Sequence, residues 1–227
     1  MYQADLKGQH HELGTSGFLY RSNKLMYDHA TKSFWSTLKG EPVVGPLVGK
    51  GIRLQRRHVV TTTWGEWKKQ HPETTVLSLQ TGHKRDYGEG VAYRDYFSTH
   101  KLMFEVPQTD ERLRNKDEVL ALREGDKQLA ISATYLRRHP VFHGQIGQQK
   151  FVVITDRGGA NRVYEAPNVK FTTFDGRSVR DADGNVWVVS EGSLDSKEKA
   201  KSLKRLPAHR AFWFGWFSQY PRTQLIK

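Results

Sequence analysis

No cysteine occurs among the 227 residues of this chain. Disulfides, thiolate nucleophiles and Cys-ligated zinc are therefore excluded from it. The sequence also lacks any apolar run near the roughly 18 residues that a membrane-spanning helix needs, and its opening MYQAD is not a secretion signal. Zinc-finger spacing, an RNP-like aromatic pattern and a helix-turn-helix are missing as well. Negative charge is the scarcer sign, with 24 Asp and Glu against 36 Lys and Arg, a formal net charge of +12. Such an excess attracts nucleic acid, anionic lipid or acidic polymers. The cations are nevertheless spread in small groups, among them Arg56 with Arg57, Lys68 with Lys69, and Arg137 with Arg138. Only 197–210 is dense, and Asp195 and Glu198 dilute it. A solvated basic surface is the expected reading, and nucleic-acid binding is the weaker alternative.

What the chain does contain is aromatic: six Trp, nine Tyr and eleven Phe, enough at this length to fill a core. The tryptophans fall into a repeat. Trp64 and Trp67, followed by Pro72, Thr74 and Val76, recur 149 positions later as Trp213 and Trp216, followed by Pro221, Thr223 and Leu225. Upstream, Trp35 and Gly40 recur 152 positions later as Trp187 and Gly192, as do Arg53 and Leu54 in Arg205 and Leu206. One three-residue gap reconciles the two offsets. This pattern predicts an internal duplication, with a first copy over 1–79, an unmatched insertion over 80–115 and a second copy over 116–227. The alternative is two unrelated amphipathic helices. Aligning Tyr2 with Tyr164 leaves the strand-like 150–154 and the polar turn 155–161 without a counterpart. The first copy is thus expected to be truncated and the chain a fragment, with an exposed sheet edge that invites association.

Short stretches rich in β-branched and aromatic residues, separated by Gly, Asn and Asp, predict a mainly β (α+β) architecture. In the duplicated reading it consists of antiparallel sheet units, each closed by a short Trp-x-x-Trp helix. Strands are expected over 11–13, 17–20, 24–28, 33–37, 53–55, 59–62, 75–79, 117–122, 128–131, 150–154 and 162–165. Asp28 and Asp181 should open equivalent hairpin turns, because Asp bonds its own backbone there. Thr63 caps a helix over 63–71 with Glu66 three residues on, and Pro72 ends it. All four helix tryptophans are expected to pack in a core.

No acid/base pair, triad or metal motif is specific. His10 and His11 with Glu12 form the tightest group of metal-ligand types. On a strand, however, neighbouring side chains point to opposite faces, so one ion would need a turn or bulge there. Ser16 between Gly14 and Gly17 lacks the strand-to-helix elbow of an activated serine. The glycines over 40–49 lack the Lys-Ser/Thr ending of a phosphate loop. The turn 156–162 could hold an anion on its N–H groups, though a hairpin turn accounts for it more simply. The Gly/Tyr-rich insertion mixes rings, cations and carboxylates suited to a polar ligand. Its alternative role is a surface loop stapled by buried tyrosines.

Several ordered strings, GTSGFLYRSNKLMYD at 14–28, SFWS at 33–36, GEPVVG at 40–45, RDYG at 85–88 and FWFGW at 212–216, resemble a prokaryotic family known as domain of unknown function 3179. The resemblance covers nearly the whole chain. It implies an upstream Cys-x-x-Cys-Gly turn, preceded by a His-Glu segment, that has no counterpart here, and it places His143 opposite that upstream histidine. A cell-envelope or periplasmic location is implied in the same way. The leading expectation is a non-catalytic binding or structural module of the cell envelope. Its ligand surface would comprise the insertion and the 16–28 hairpin, through Arg21, Asn23, Asp28, Arg85, Tyr87, Tyr93 and Arg94. The rival is a metal- or thiol-dependent enzyme whose cysteines lie upstream, assisted by His10, His11 or His143. No cofactor is evident in the sequence itself, and no partner is identified by it.

Overall fold

The computed structural model describes residues 1–6, 8–88, 90–198 and 200–227. Among the described residues the fold is mainly β with four short helices, in agreement with the sequence-based class. In the first half, Leu13–Tyr20, Asn23–Asp28, Phe34–Ser36 and Glu41–Val44 form an antiparallel meander. In the second half, Phe171–Phe174, Ser178–Asp181, Val186–Val189, Ser193–Ser196 and Ser202–Lys204 form another. A third sheet pairs Val141–Ile146, Gln149–Thr155 and Asn161–Glu165. The fourth places Glu118–Glu124 between Ala208–Phe212 and Lys127–Ser132. Gln224–Ile226 completes that sheet by pairing parallel to Lys127–Ser132, a departure from the all-antiparallel expectation.

The Asp turns form as anticipated. Asp28 Oδ1 accepts from the N–H groups of Ala30 and Thr31, and Asp181 Oδ1 from those of Asp183 and Asn185. The tryptophans that follow, Trp35 and Trp187, are both buried. Their indoles differ: Trp187 Nε1 donates to Asp181 Oδ2 at 3.0 Å, whereas Trp35 Nε1 is enclosed with no partner among the described residues. In the first meander Asp28 Oδ2 is taken by His11 and Thr31 instead. Gly40 sits at φ +70° with the Tyr2 ring so close that a Cβ would lie 2.2 Å from it. That position requires glycine on both counts.

Helix α1 (Trp64–Gln70) is capped by Thr63 Oγ1, which accepts from Glu66 N. Helix α2 (Arg94–Ser98) lies in the insertion. Helix α3 (Ala133–Arg138) begins at Ser132, whose hydroxyl accepts from Tyr135 N; nothing in the hydrophobic pattern announced it. Helix α4 spans Trp213–Gln219. Several contacts of α1 recur in α4 at the 149-residue spacing. Trp67 Nε1 donates to Thr74 Oγ1 at 3.0 Å and Trp216 Nε1 to Thr223 Oγ1 at 3.0 Å. The Trp67 and His71 rings pack at a tilt with centres 4.0 Å apart, and those of Trp216 and Tyr220 at 4.4 Å. Likewise the Tyr2 hydroxyl donates to Leu38 O and the Tyr164 hydroxyl to Ser190 O.

Burial separates the two helices, and here the expectation of four core tryptophans fails. All seven residues of α4 are buried, with Trp213 and Trp216 fully enclosed by Val119, Ala121, Ala130 and Leu38. No residue of α1 is buried, and Trp64 is 48% exposed. The expected strands over 59–62 and 75–79 are also not formed. Extended backbone becomes a strand only beside another strand, and among the described residues nothing pairs with either segment.

Candidate functional site: a cleft between the two halves

The first meander, the insertion and the Ala208–Phe212 strand enclose a cleft of about 570 Å³. Ser22 and Asn23 supply one wall, Thr37 and Thr61 another, and Tyr96 of α2 a third. Glu118, His209, Arg210, Phe212 and Phe214 complete it.

Strain shapes the first wall. Arg21 and Ser22, at φ 51° and 58°, form the Tyr20–Asn23 hairpin turn in the left-handed region that glycine or asparagine normally occupies. Each such residue costs on the order of 1 kcal/mol or more, so neighbouring contacts must hold the turn. The Arg21 guanidinium does so by donating to Ser218 O, and Gln219 Nε2 donates to Tyr20 O at 3.3 Å. The turn is thereby latched to the end of α4. The Asn23 side-chain amide meets the Thr37 hydroxyl, which also donates to Lys24 O at 2.7 Å.

The opposite wall rests on Arg210. Its Nη1 pairs with Glu118 Oε2, its Nε donates to Asn161 Oδ1 at 2.8 Å, and its Nη2 donates to Gly159 O. Each guanidinium nitrogen thus makes one bond, and Glu118 Oε1 has no hydrogen-bond partner among the described residues. His209 stands beside it with its ring edge towards Trp216, 5.7 Å between centres. Its Nε2 is enclosed and has no partner among the described residues. Burial first, and then the positive charge of Arg123, push its pKa down to about 3, so the imidazole is neutral at physiological pH. Between pH 6.5 and about 3 the unfolded chain therefore binds a proton that the folded one refuses, and stability falls as pH falls through that window. Urea unfolding at pH 7 and pH 4.5 should show this loss shrinking in His209→Gln; an unchanged loss would count against it.

Of the residues singled out from sequence, Asn23 lines the cleft and Arg21 braces it. Asp28 is fully buried and serves its turn, bonded to His11 Nδ1 at 2.9 Å. The insertion reaches the cleft through Tyr96 rather than through Arg85, Tyr87, Tyr93 or Arg94. Tyr87 bonds Thr81 at 2.8 Å, and Tyr93 starts α2 at φ 61° with its ring packed on Tyr96. Arg85 and Arg94 are exposed. Lys116 fixes the insertion from below, its Nζ 3.7 Å from the centre of the Tyr96 ring and bonded to Thr99 O. His10 pairs with Asp5, and His143 Nε2 accepts from Phe171 N at 2.9 Å. The three candidate metal ligands therefore have three separate partners. Among the described residues no three His, Cys, Asp or Glu side chains gather in a group that could hold a metal ion. Glu118, His209, Arg210 and Phe212 were missed. One signal was present: at the 149-residue spacing His209 and Arg210 stand where the first half carries Val60 and Thr61.

The sequence profile of the family described as "Protein of unknown function (DUF3179)" matches residues 1–223, nearly the whole chain. No curated protein and no solved structure matches it. Among the described residues no helix is long and apolar enough to cross a membrane.

Proposed function

The chain belongs to the DUF3179 family, and from that premise we propose that it is a non-catalytic binding module whose cleft takes a small, uncharged, hydroxyl-bearing ligand of sugar size. The observation that carries this reading is the pairing of a free Glu118 carboxylate oxygen, a neutral His209 and the Asn23 amide with the rings of Tyr96, Phe212 and Phe214. Apolar faces with a few fixed polar groups are what an orienting pocket offers, and the volume falls within the usual range for one. An anion would be repelled by the Glu118 carboxylate, which already engages Arg210. A cation would sit above that same guanidinium. A neutral ligand incurs neither cost.

Titrating mono- and disaccharides and watching ligand signals by saturation-transfer NMR tests the proposal. At least one should saturate the protein, and Glu118→Gln and Tyr96→Ala should each weaken it at least tenfold. Failure of every member of the panel to bind, or binding indifferent to both changes, would sink it. The recurrent bonds at Trp67 and Trp216, and at Tyr2 and Tyr164, support the further reading that both halves derive from one duplicated unit. A place in the cell envelope is supported by the family resemblance, and fractionation of cells expressing the native gene checks it.

A further inference from the structure

A second hollow, of about 550 Å³, opens beside the three-stranded sheet and shares no residue with the cleft. The strands Val141–Ile146 and Gln149–Thr155 form one side of it, and residues 166–170, which lead into Phe171–Phe174, form the other. Successive side chains on a strand point to opposite faces, and here that alternation sorts the charges. His143 lies in register with Val152 and Tyr164, and Gln145 with Lys150, on the face that packs on the second meander. Glu165 belongs to the intervening row, with Gly144 and Phe151, so its carboxylate is directed to the other face. Among the described residues no carboxylate lines the hollow. Its charged side chains are Lys150 and Lys170, and neither makes an ion pair with a described residue.

His143 is fixed as a donor beside them. Its Nε2 accepts from Phe171 N at 2.9 Å, so in the neutral ring the proton sits on Nδ1. The same Nε2 lies 3.1 Å from Phe171 O, but a proton on it would face the Phe171 N–H. The imidazole lies nearly parallel to the Phe171 ring, 10° between planes and 6.1 Å between centres, which holds its orientation. Partial burial lowers its pKa and outweighs the Phe171 contact, and the Lys170 charge adds to the lowering. Nδ1 itself has no partner among the described residues. The backbone of the same wall adds donors, because the N–H groups of Asn168, Val169 and Lys170 make no hydrogen bond to a described residue. Ala166 and Val169, which belong to the apolar cluster beneath, supply a floor without polar demands.

Donors and cations without a carboxylate make a site for an anion, and the kind of cation selects which one. A carboxylate is best matched by the planar fork of an arginine, and the hollow has none. Lysine is a point charge, so two ammonium groups suit a compact dianion, while the apolar floor suits an organic body attached to it. We propose that this hollow binds a small organic phosphate monoester. Its phosphoryl group is held by Lys150 and Lys170, with His143 Nδ1 donating to it, and its apolar body rests on Ala166 and Val169. This hollow is separate from the cleft, and the proposal stands whether or not the cleft binds a sugar.

Phenyl phosphate is the probe, titrated at pH 8, where its phosphoryl group carries about two negative charges. Calorimetry should show one saturable site. Chemical shifts should move at His143 and at the amides of 168–170, and stay fixed at Asn23 and His209. Lys150→Gln and Lys170→Gln change exposed side chains and leave the fold intact, yet each should weaken binding by about fivefold or more. Lys50→Gln removes the same charge from an exposed position outside the hollow and should leave binding unchanged. Inorganic phosphate and benzoate should both bind more weakly, the first for want of an apolar body and the second for want of the second charge. Absence of saturable binding overturns the proposal, as does weakening by Lys50→Gln equal to that by Lys170→Gln, or shifts centred on the cleft. Benzoate binding as tightly as phenyl phosphate would make this a carboxylate site, and inorganic phosphate doing so would remove the organic body; either result overturns the monoester assignment.

Discussion

Trp216→Ala is expected to destabilise the protein by about 3–5 kcal/mol, whereas Trp64→Ala should cost about 1 kcal/mol or less, although both residues belong to the same i, i+3 pattern. Trp216 is fully enclosed, touches Val119, Ala121 and Ala130, and donates its indole N–H to Thr223. Truncation would open a cavity in the one cluster that joins the halves through Leu38, and would leave the Thr223 hydroxyl without its donor. Trp64 already has nearly half its surface in water. Urea unfolding of both variants measures the difference. Equal losses would mean that α1 is covered in solution.

Arg162→Ala should cost a comparable 3–5 kcal/mol or so, because it would leave buried charge uncompensated. Only 7% of the Arg162 side chain is exposed, and it bonds Glu191 Oε1 at 2.7 Å, Asp156 Oδ2 at 3.1 Å and Gln70 Oε1 at 3.3 Å. Asp156, 9% exposed, makes its ion pair with Arg162, while Glu191 keeps a second one with Arg205 at 3.0 Å. By contrast, Lys69→Ala breaks an exposed pair with Glu66 and should change stability by about 0.5 kcal/mol at most. Acid should reveal the same network. Burial would raise the Glu191 pKa, but Arg162 and Arg205 together hold it below the usual value. Its contribution is therefore complete above the unfolded pKa and is lost as pH falls through the folded one. Asp181 behaves alike: burial opposes ionisation, and the Trp187 and Asn185 donors outweigh it. Thermal unfolding of the wild type should weaken below pH 4 or so, and Arg162→Ala should show a shallower decline because Glu191 has lost its nearest cation. An unchanged slope would exclude Glu191 from acid unfolding.

Asn23 was reached from sequence, and so was the idea that the hairpin and the insertion meet. The particular contacts were not. Tyr87 and Tyr93 looked as suited to a ligand as Tyr96, and nothing local distinguishes three tyrosines within ten residues. Only the anchoring of Lys116 on Tyr96 selects one ring for the cleft. Glu118 and Arg210 lie 92 positions apart, and their pairing follows from the register of two strands in one sheet. A residue-by-residue reading has no access to that register.

What the sequence determined by itself is what short-range chemistry determines: the β-rich class, the Asp28 and Asp181 turns, the Thr63 cap, and the indole-to-threonine staple that both Trp-x-x-Trp helices carry. Each of these closes within about ten residues. Tertiary structure alone decided which copy of the staple became a core. Trp213 and Trp216 are buried and Trp64 is not because a hairpin from elsewhere in the chain lies on the first pair. Burial belongs to the contact between two surfaces, and a pattern in one segment specifies only its own side of it.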